Sequence, residues 1–541
     1  MHLFEDVPRR IQDYFKHTLA FYDGSASEAD YAVIAERSAM SERLWTWARA
    51  KFSDGKGRAS AAFQISEMGW GPVFTYRRDE LETLFGTPVT EALFRLSLRF
   101  GALASFEERH LYLGSPIRQR PFIRLDDDHL FLPLPALVIS FPFEMVEHLI
   151  GADKPLAEAY ASARTDYLEE AAEEIVRKAM PSAAVYRSVS WHDAAQNKTW
   201  ENDVVAVLGN HIFLFEAKSG KLKPASRRGG AASLRKNFTQ LYVEPGQQAA
   251  RLEKALRARS GEVLRDRIGK PLPIDLSKPV VVHSFGVCIE HLASMTSSRH
   301  HFEEMGLIKP GDPWAPILSI GDLRMIAAYL DTEVAFFHYL TRRATIESVI
   351  QFLGDEQDLL SVYLTNGFQI DAEALKGTRV IFGMADAPVR GLKTPRNDRG
   401  VPDAIGVQLP ASWQLIVNEI YGSRNRHRFD MIETIFNQHP ANLKGIELKV
   451  RNWRSGAGKA GALIVSTEIG GRIFAIAVIL SKKIFLSEAE WHAFARERAR
   501  EVHEELQTTE CVVLLRHRKS SSVTYDAISF FRMGKYPVLA H

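Results

Sequence analysis

Between Pro155 and Met180 apolar residues recur at helical spacing, which predicts one long helix. Beyond it the period shortens. Val185–Trp191, Asp203–Leu208 and His211–Ala217 are β-branched and aromatic runs that predict three strands, the last two joined by Gly209-Asn210. A helix over about Gln247 to Arg259 and a continuously apolar fourth strand over Pro279–Ile289 complete an αβββαβ order within residues 151–291. The hairpin is apolar on both faces: Val205, Val207, Ile212 and Leu214 on one, Val204, Ala206, Phe213 and Phe215 on the other. A strand pair of that kind is buried on both sides.

The flanking patterns are different. Residues 1–150 predict an accessory α+β domain with helices at Ile11–Tyr22, Ser41–Phe52 and Thr90–Arg99, the last started by Thr87-Pro88. Strands at Pro121–Leu125 and His129–Leu134 would turn at Asp126-Asp127-Asp128. The most apolar stretch, Leu130–Phe143, is short and broken by Pro133, Pro135 and Pro142. It predicts a buried strand pair or core loop, not a membrane span. Residues 292–370 predict a helical linker region, with helices at Ile320–Leu330 and Thr332–Arg342. Residues 371–541 predict an α/β accessory domain: a hairpin over Ala462–Leu480 turning at Gly470-Gly471, a helix over Ser487–Gln507 and a strand over Cys511–Arg516. The fold class is therefore multidomain α/β with a central αβββαβ core.

Composition narrows this further. A chain of 541 residues is too long for one core, which agrees with several domains. Two cysteines, Cys288 and Cys511, supply neither a disulfide framework nor a thiolate zinc site, so a reducing, cytoplasmic location is expected. The opening MHLFEDVPRR lacks the basic start and apolar run of a signal peptide. The net charge of +2 does not announce a polyanion partner, but its distribution does. Phe215 to Lys270 holds 14 Lys/Arg against 5 Asp/Glu, and Lys221, Lys223, Arg227, Arg228, Arg235 and Lys236 would meet backbone phosphates.

The chemistry concentrates on the hairpin. With Gly209-Asn210 as a two-residue turn, Leu208 faces His211, and stepping outward places Asp203 opposite Glu216. Opposed side chains have Cβ atoms roughly 5 Å apart, where like charges repel. Lys218 lies on the Glu216 face by alternation. Two carboxylates and an ammonium at the end of a buried strand are costly unless something compensates them. A divalent cation, Mg²⁺ or Mn²⁺, would do so, and it suits phosphodiester cleavage by a metal-activated water. Lys218 would orient that water or offset developing charge.

These residues resemble the PD-(D/E)XK nuclease superfamily, in its restriction-endonuclease-like prokaryotic branch (Mrr- and NERD-like). They stand here as Glu201-Asn202-Asp203-Val204-Val205 and Phe215-Glu216-Ala217-Lys218-Ser219. The resemblance implies a Mg²⁺-dependent endonuclease acting on DNA, in restriction, antiviral defence or repair. It also implies a helix Glu near the metal, for which Glu169 is preferred and Glu173 is second, and a Gln early in the next helix, Gln248, with Gln247 next. The usual Pro before the Asp is absent. A nuclease-fold module kept for nucleic-acid binding or assembly is the alternative, and the basic segment could equally serve a partner protein. Oligomeric state stays open. Glu447-Leu448-Lys449 repeats the E-x-K spacing without an acidic hairpin partner and is set aside. His192, His283 and the cluster of Arg424, Arg426, His427 and Arg428 read as exposed, core and solvated residues respectively. Gly456-Ala457-Gly458-Lys459 lacks the spacing of a phosphate loop.

Overall fold

The computed structural model describes residues 74–106, 115–382 and 409–533, less short gaps at 194–195, 259–263, 275–279, 292–293, 295–297, 371–374, 376–377, 457, 483–484, 486, 519 and 521, together with positions 9–12, 16 and 27. The expected helix at Ser41–Phe52, most of that at Ile11–Tyr22, and the termini Arg259 and Pro279 lie outside the described residues. The chain divides into two compact units, one of residues 1–162 with 224–230 and one of residues 163–223 with 231–541.

In the first unit, β1 (Thr75–Arg77) leads into α1 (Arg78–Phe85) and α2 (Thr87–Arg95), followed by β2 (Ser97–Arg99), α3 (Pro116–Gln119), β3 (Phe122–Arg124) and β4 (His129–Phe131). The sheet order is β1-β4-β3-β2. Asp126 Oδ1 accepts the N–H groups of Asp128 and His129, each at 2.8 Å, so the triple-Asp turn closes β3 on β4 as its sequence predicts. Two expectations fail here. The helix predicted over Thr90–Arg99 ends at Arg95, because Ser97–Arg99 pairs parallel with β3. Beyond β4 the apolar run is helical, as α4 (Ala136–Ser140) and α5 (Pro142–Ile150), rather than a strand pair or core loop. Pro142 starts α5, and Ile139 and Phe143 are exposed. The core joins Tyr76, Leu81, Phe94, Phe122, Leu130 and Met145.

The second unit takes up α6 (Lys154–Ala179) from residue 163 onward, then β5 (Ala184–Asp193), β6 (Lys198–Leu208) and β7 (His211–Lys218). After β7 come α7 (Pro224–Arg227), which belongs to the first unit, and α8 (Ala231–Phe238). A π-helical turn at Thr239–Val243 leads into α9 (Glu244–Ala258) and β8 (Val281–Cys288). α10 (Arg299–Glu304) and β9 (Ile317–Ser319) follow, giving a five-stranded sheet ordered β5-β6-β7-β8-β9. β5, β6 and β7 are antiparallel neighbours, and β7, β8 and β9 are parallel. The helix, three strands, helix and strand appear in the predicted order, with β6 starting five residues earlier than expected, at Lys198, and β9 unforeseen.

Helices then cover one face: α11 (Ile320–Tyr329), α12 (Glu333–Val349) and α13 (Glu356–Asn366), with β10 (Gln351–Leu353) pairing β11 (Arg379–Ile381). Three more, α14 (Ala411–Gly422), α15 (Arg428–Phe436) and α16 (Pro440–Arg454), precede β12 (Gly461–Ile469) and β13 (Arg472–Ser481). α17 (Glu488–Leu506), β14 (Glu510–His517) and β15 (Ala527–Arg532) complete a four-stranded sheet ordered β12-β13-β14-β15. Phe336 and Phe337 of α12 and Phe429 of α15 share one apolar core with Leu168 of α6 and Phe213 of β7. Positions 291 and 370 both fall within the second compact unit, where the helices predicted for residues 292–370 cover the central sheet. Val205, Ile212 and Leu214 pack on its other face with Ala249 and Leu252 of α9. No helix among the described residues is long and apolar enough to cross a membrane.

Candidate active site

The β6–β7 ladder runs Leu208–His211 through Val204–Phe215, the register read from the Gly209-Asn210 turn. Gly209 has φ 62 while Asn210 is outside the positive region, the pattern of a type II′ rather than a I′ turn. The ladder stops one step short of the pair that matters. Asp203 has no ladder partner on β7 or on β5, where pairing passes from Arg187–Val204 to Val189–Asn202 around Ser188, itself at φ 52. Asp203 and Glu216 are therefore neighbours across an irregularity, not a regular opposed pair. Asp203 Oδ2 accepts the Ala217 N–H at 2.6 Å, replacing a strand-to-strand bond. Asn202 reaches Glu216 instead: its Nδ2 donates to Glu216 Oε1, while its Oδ1 accepts from Trp191 Nε1 at 2.9 Å.

Three acids crowd this end of the sheet. Glu216 is 1% exposed, and burial followed by the Asp203 charge pushes its carboxyl up to about 8, against the Asn202 hydrogen bond and the Lys218 and Arg251 charges. Burial also raises Asp203, opposed first by Lys218 and then by the Ala217 N–H. Glu169, on α6, is pushed up to about 7 by burial and then by Asp203, with Arg187 opposing. The helix acid that senses Asp203 is thus Glu169. Glu173 is committed to Arg177 at 2.6 Å and Arg187 at 3.8 Å, and Glu170 is exposed. Lys218 is half-buried at the end of β7, level with Cys288 of β8. Gln248 lies on α9, which packs against β7 and β8, and its Oε1 is buried without a hydrogen-bond partner; Gln247 is exposed.

Among the described residues, no three His, Cys, Asp or Glu side chains are gathered as a metal-binding group. The donor chemistry still fits a hard dication: carboxylate oxygens from Asp203, Glu216 and Glu169, raised first by burial, with the Asp203 charge adding to the shifts of Glu216 and Glu169. Ca²⁺-, Mg²⁺- or Mn²⁺-type ions are held by such oxygens, whereas thiolate-seeking metals are not.

The six basic candidates separate. Lys221, Lys223 and Lys236 are exposed in the second unit, and Arg235 there donates to the carbonyls of Gly306 and Met305. Arg227 and Arg228 fall in the first unit, where Arg227 pairs with Glu144 at 2.5 Å. Residues overlooked from sequence are Asn202, Arg187 and Arg251. Strict alternation would put Asn202 on the face opposite Asp203, but the pairing skips Asp203 and Asn202 meets Glu216. Arg251 was visible inside Gln248-Ala249-Ala250-Arg251-Leu252, and it also lies 3.9 Å over the Trp200 ring. His283 is a buried core residue stacked on Phe213 and His211, His192 is exposed, and Glu447-Leu448-Lys449 falls inside helix α16.

No family model matches the chain, and no curated protein matches it. A solved structure, protein VC1899 from Vibrio cholerae, aligns over 53% of this chain and 77% of its own at 12% identity, with a TM-score of 0.15. A likeness that low carries no argument about fold or function.

Proposed function

We propose that the second unit is a metal-dependent nuclease with a PD-(D/E)XK-type core, hydrolysing DNA phosphodiester bonds. The observation that carries this reading is the set of neighbouring acids Asp203, Glu216 and Glu169, each raised by burial, with Lys218 beside Asp203 and Glu216 where the β6–β7 ladder breaks. Ionising carboxyls that burial disfavours is costly, and a dication held between them would offset that cost. Asp203, Glu216 and Glu169 would hold Mg²⁺ or Mn²⁺, which when bound polarises a phosphoryl oxygen and acidifies a water. Lys218 would stabilise charge on the phosphate as the bond breaks. Asn202, itself held by Trp191, fixes the Glu216 carboxylate. Gln248 offers a buried acceptor from the α9 side. Lys221, Lys223 and Lys236 supply charge for the DNA backbone. A role in restriction, defence or repair belongs to the same proposal.

One observation favours a second reading, a nuclease-fold module that binds without cutting. Asp203 and Glu216 each already have an oxygen engaged by protein donors, the Ala217 N–H and the Asn202 amide. Incubation with plasmid and linear DNA in Mg²⁺, Mn²⁺ or EDTA decides between them. Cleavage in the metals, absent in EDTA and lost in Asp203→Asn and Glu216→Gln, is the expected result. DNA retention without cleavage in any metal would select the binding module.

A further inference from the structure

The Arg424–Arg428 cluster lies beside a cleft of about 610 Å³ that takes no part in the carboxylate site. Its walls come from the segment before α15, from α17 and from β15. Arg426 and His427 stand on the first, His492 and Arg496 one turn apart on the second, and Ser529 and Arg532 on the third. Arg426 and Arg496 are poorly neutralised, whereas His427 Nδ1 lies 3.0 Å from Asp430 Oδ2. Arg496 NH2 lies 3.4 Å from His492 Nε2, whose other nitrogen lies 3.4 Å from Ser529 Oγ. Arg426 Nε donates to His427 Nε2 at 2.9 Å. A guanidinium donating to an imidazole keeps its full charge, and no described carboxylate forms an ion pair with Arg426 or Arg496. Arg532 is paired with Asp430 at 2.6 Å, and Glu488 is the acid on the wall. Trp491 also lines the cleft, with a buried Nε1 that has no hydrogen-bond partner. Half-buried Phe530 adds an aromatic ring, tilted 32° to that of His427 with the centroids 5.2 Å apart.

We infer that this cleft binds a small phosphate-bearing ligand of nucleotide size, its phosphate oxygens on Arg426, His492 and Arg496 and its ring against Phe530. Forked guanidinium donors match phosphate oxygens geometrically as well as electrostatically. The volume lies within the roughly 300–1,000 Å³ typical of small-ligand sites. The cations surround a concavity that also holds an acid, whereas a nucleic-acid strand calls for a basic stripe.

The test titrates the full-length chain in EDTA with ATP, with pyrophosphate and with a single-stranded oligonucleotide, by calorimetry. Arg426 and Arg496 are exposed, so Arg426→Ala with Arg496→Ala keeps the fold, which a melting curve checks. Arg500→Ala, an exposed arginine further along α17, controls for loss of charge alone. The expected result is saturable ATP binding, competition by pyrophosphate, and an affinity at least about tenfold weaker in the double variant, or about 1.4 kcal/mol. Arg500→Ala should bind ATP as the parent does. No saturable binding of ATP or pyrophosphate, or equal binding by the double variant, overturns the proposal. Oligonucleotide binding lost in the double variant, without ATP binding, assigns the cleft to a nucleic-acid strand instead. None of these outcomes depends on whether the carboxylate site cleaves DNA.

Discussion

Lys218 occupies a position where a structural and a catalytic ammonium make different predictions. It ends β7 beside Asp203 and Glu216, and its charge opposes the upward shift of both. Lys218→Met keeps most of the stem and deletes only the charge. A contact made mainly in the transition state lowers turnover and leaves ground-state binding intact. DNA binding measured in Ca²⁺ should stay close to that of the parent while cleavage in Mg²⁺ slows at least about 100-fold. Equal losses in both would make Lys218 a phosphate anchor. Glu216 gives a second test, one of stability without metal. Its folded value of about 8 lies above its ordinary 4.5, so its contribution is complete below pH 4.5 and is lost as pH rises through about 8. Glutamine does not titrate. In EDTA, the melting temperature of Glu216→Gln relative to the parent should therefore climb between pH 6 and pH 9. A constant difference across that range would mean that the carboxyl ionises normally.

At the scale of elements, the β6–β7 hairpin is anchored at both ends. Its turn docks on the first turn of α15: Asn210 Nδ2 donates to Asp430 Oδ2 at 2.9 Å, and His211 Nε2 lies 3.3 Å from Asp430 Oδ1. Burial works against ionisation of Asp430, but His211, His427 and Arg532 outweigh it and hold the carboxyl well below the usual range. Gly209 is required for two reasons. Its φ is positive, and a Cβ there would meet the Arg426 carbonyl oxygen at 2.8 Å. Gly209→Ala should cost on the order of 1–3 kcal/mol, seen as a lower urea midpoint at unchanged slope. Gly445, inside α16 with open space around it, should behave oppositely, Gly445→Ala gaining about 1 kcal/mol or less. Shifts of the same sign in both variants would refute the turn argument. The hairpin register was legible because a two-residue turn at Gly209-Asn210 sets Leu208 opposite His211. The break at Asp203 was not, since it depends on Ser188 of the neighbouring strand adopting φ 52.

At the scale of the molecule, the even charge balance conceals local excess. Lys223 and Lys236 are exposed in the second unit, and the Lys223 N–H donates to Asn237 Oδ1 at 3.0 Å. Arg235 is engaged with backbone carbonyls and Arg227 with Glu144, so these two are weaker candidates for phosphate. Replacing Lys223 and Lys236 by Ala should weaken DNA binding alike across sequences, and reduce the slope of log affinity against log salt by about 1 to 2. An unchanged slope would point to a protein partner for this segment.

The amino-acid order by itself determined what neighbours along the chain decide: the long helix before the sheet, the triple-Asp turn, the hairpin register, and Asp203, Glu216 and Lys218 near one strand end. These follow from period, turn residues and alternation, all local. Tertiary structure decided the remainder. The predicted linker helices became the cover of the central sheet because Phe336 and Phe337 bury against Phe213 from more than a hundred residues away. Thr90–Arg99 split into helix and strand because β3 offered Ser97–Arg99 a partner. Asn202 was turned onto Glu216, and Glu169 rather than Glu173 was brought to Asp203, by packing of β5 and α6 that no window of sequence contains. Burial sets the charge state of the site, and burial is a property of the assembled layers alone.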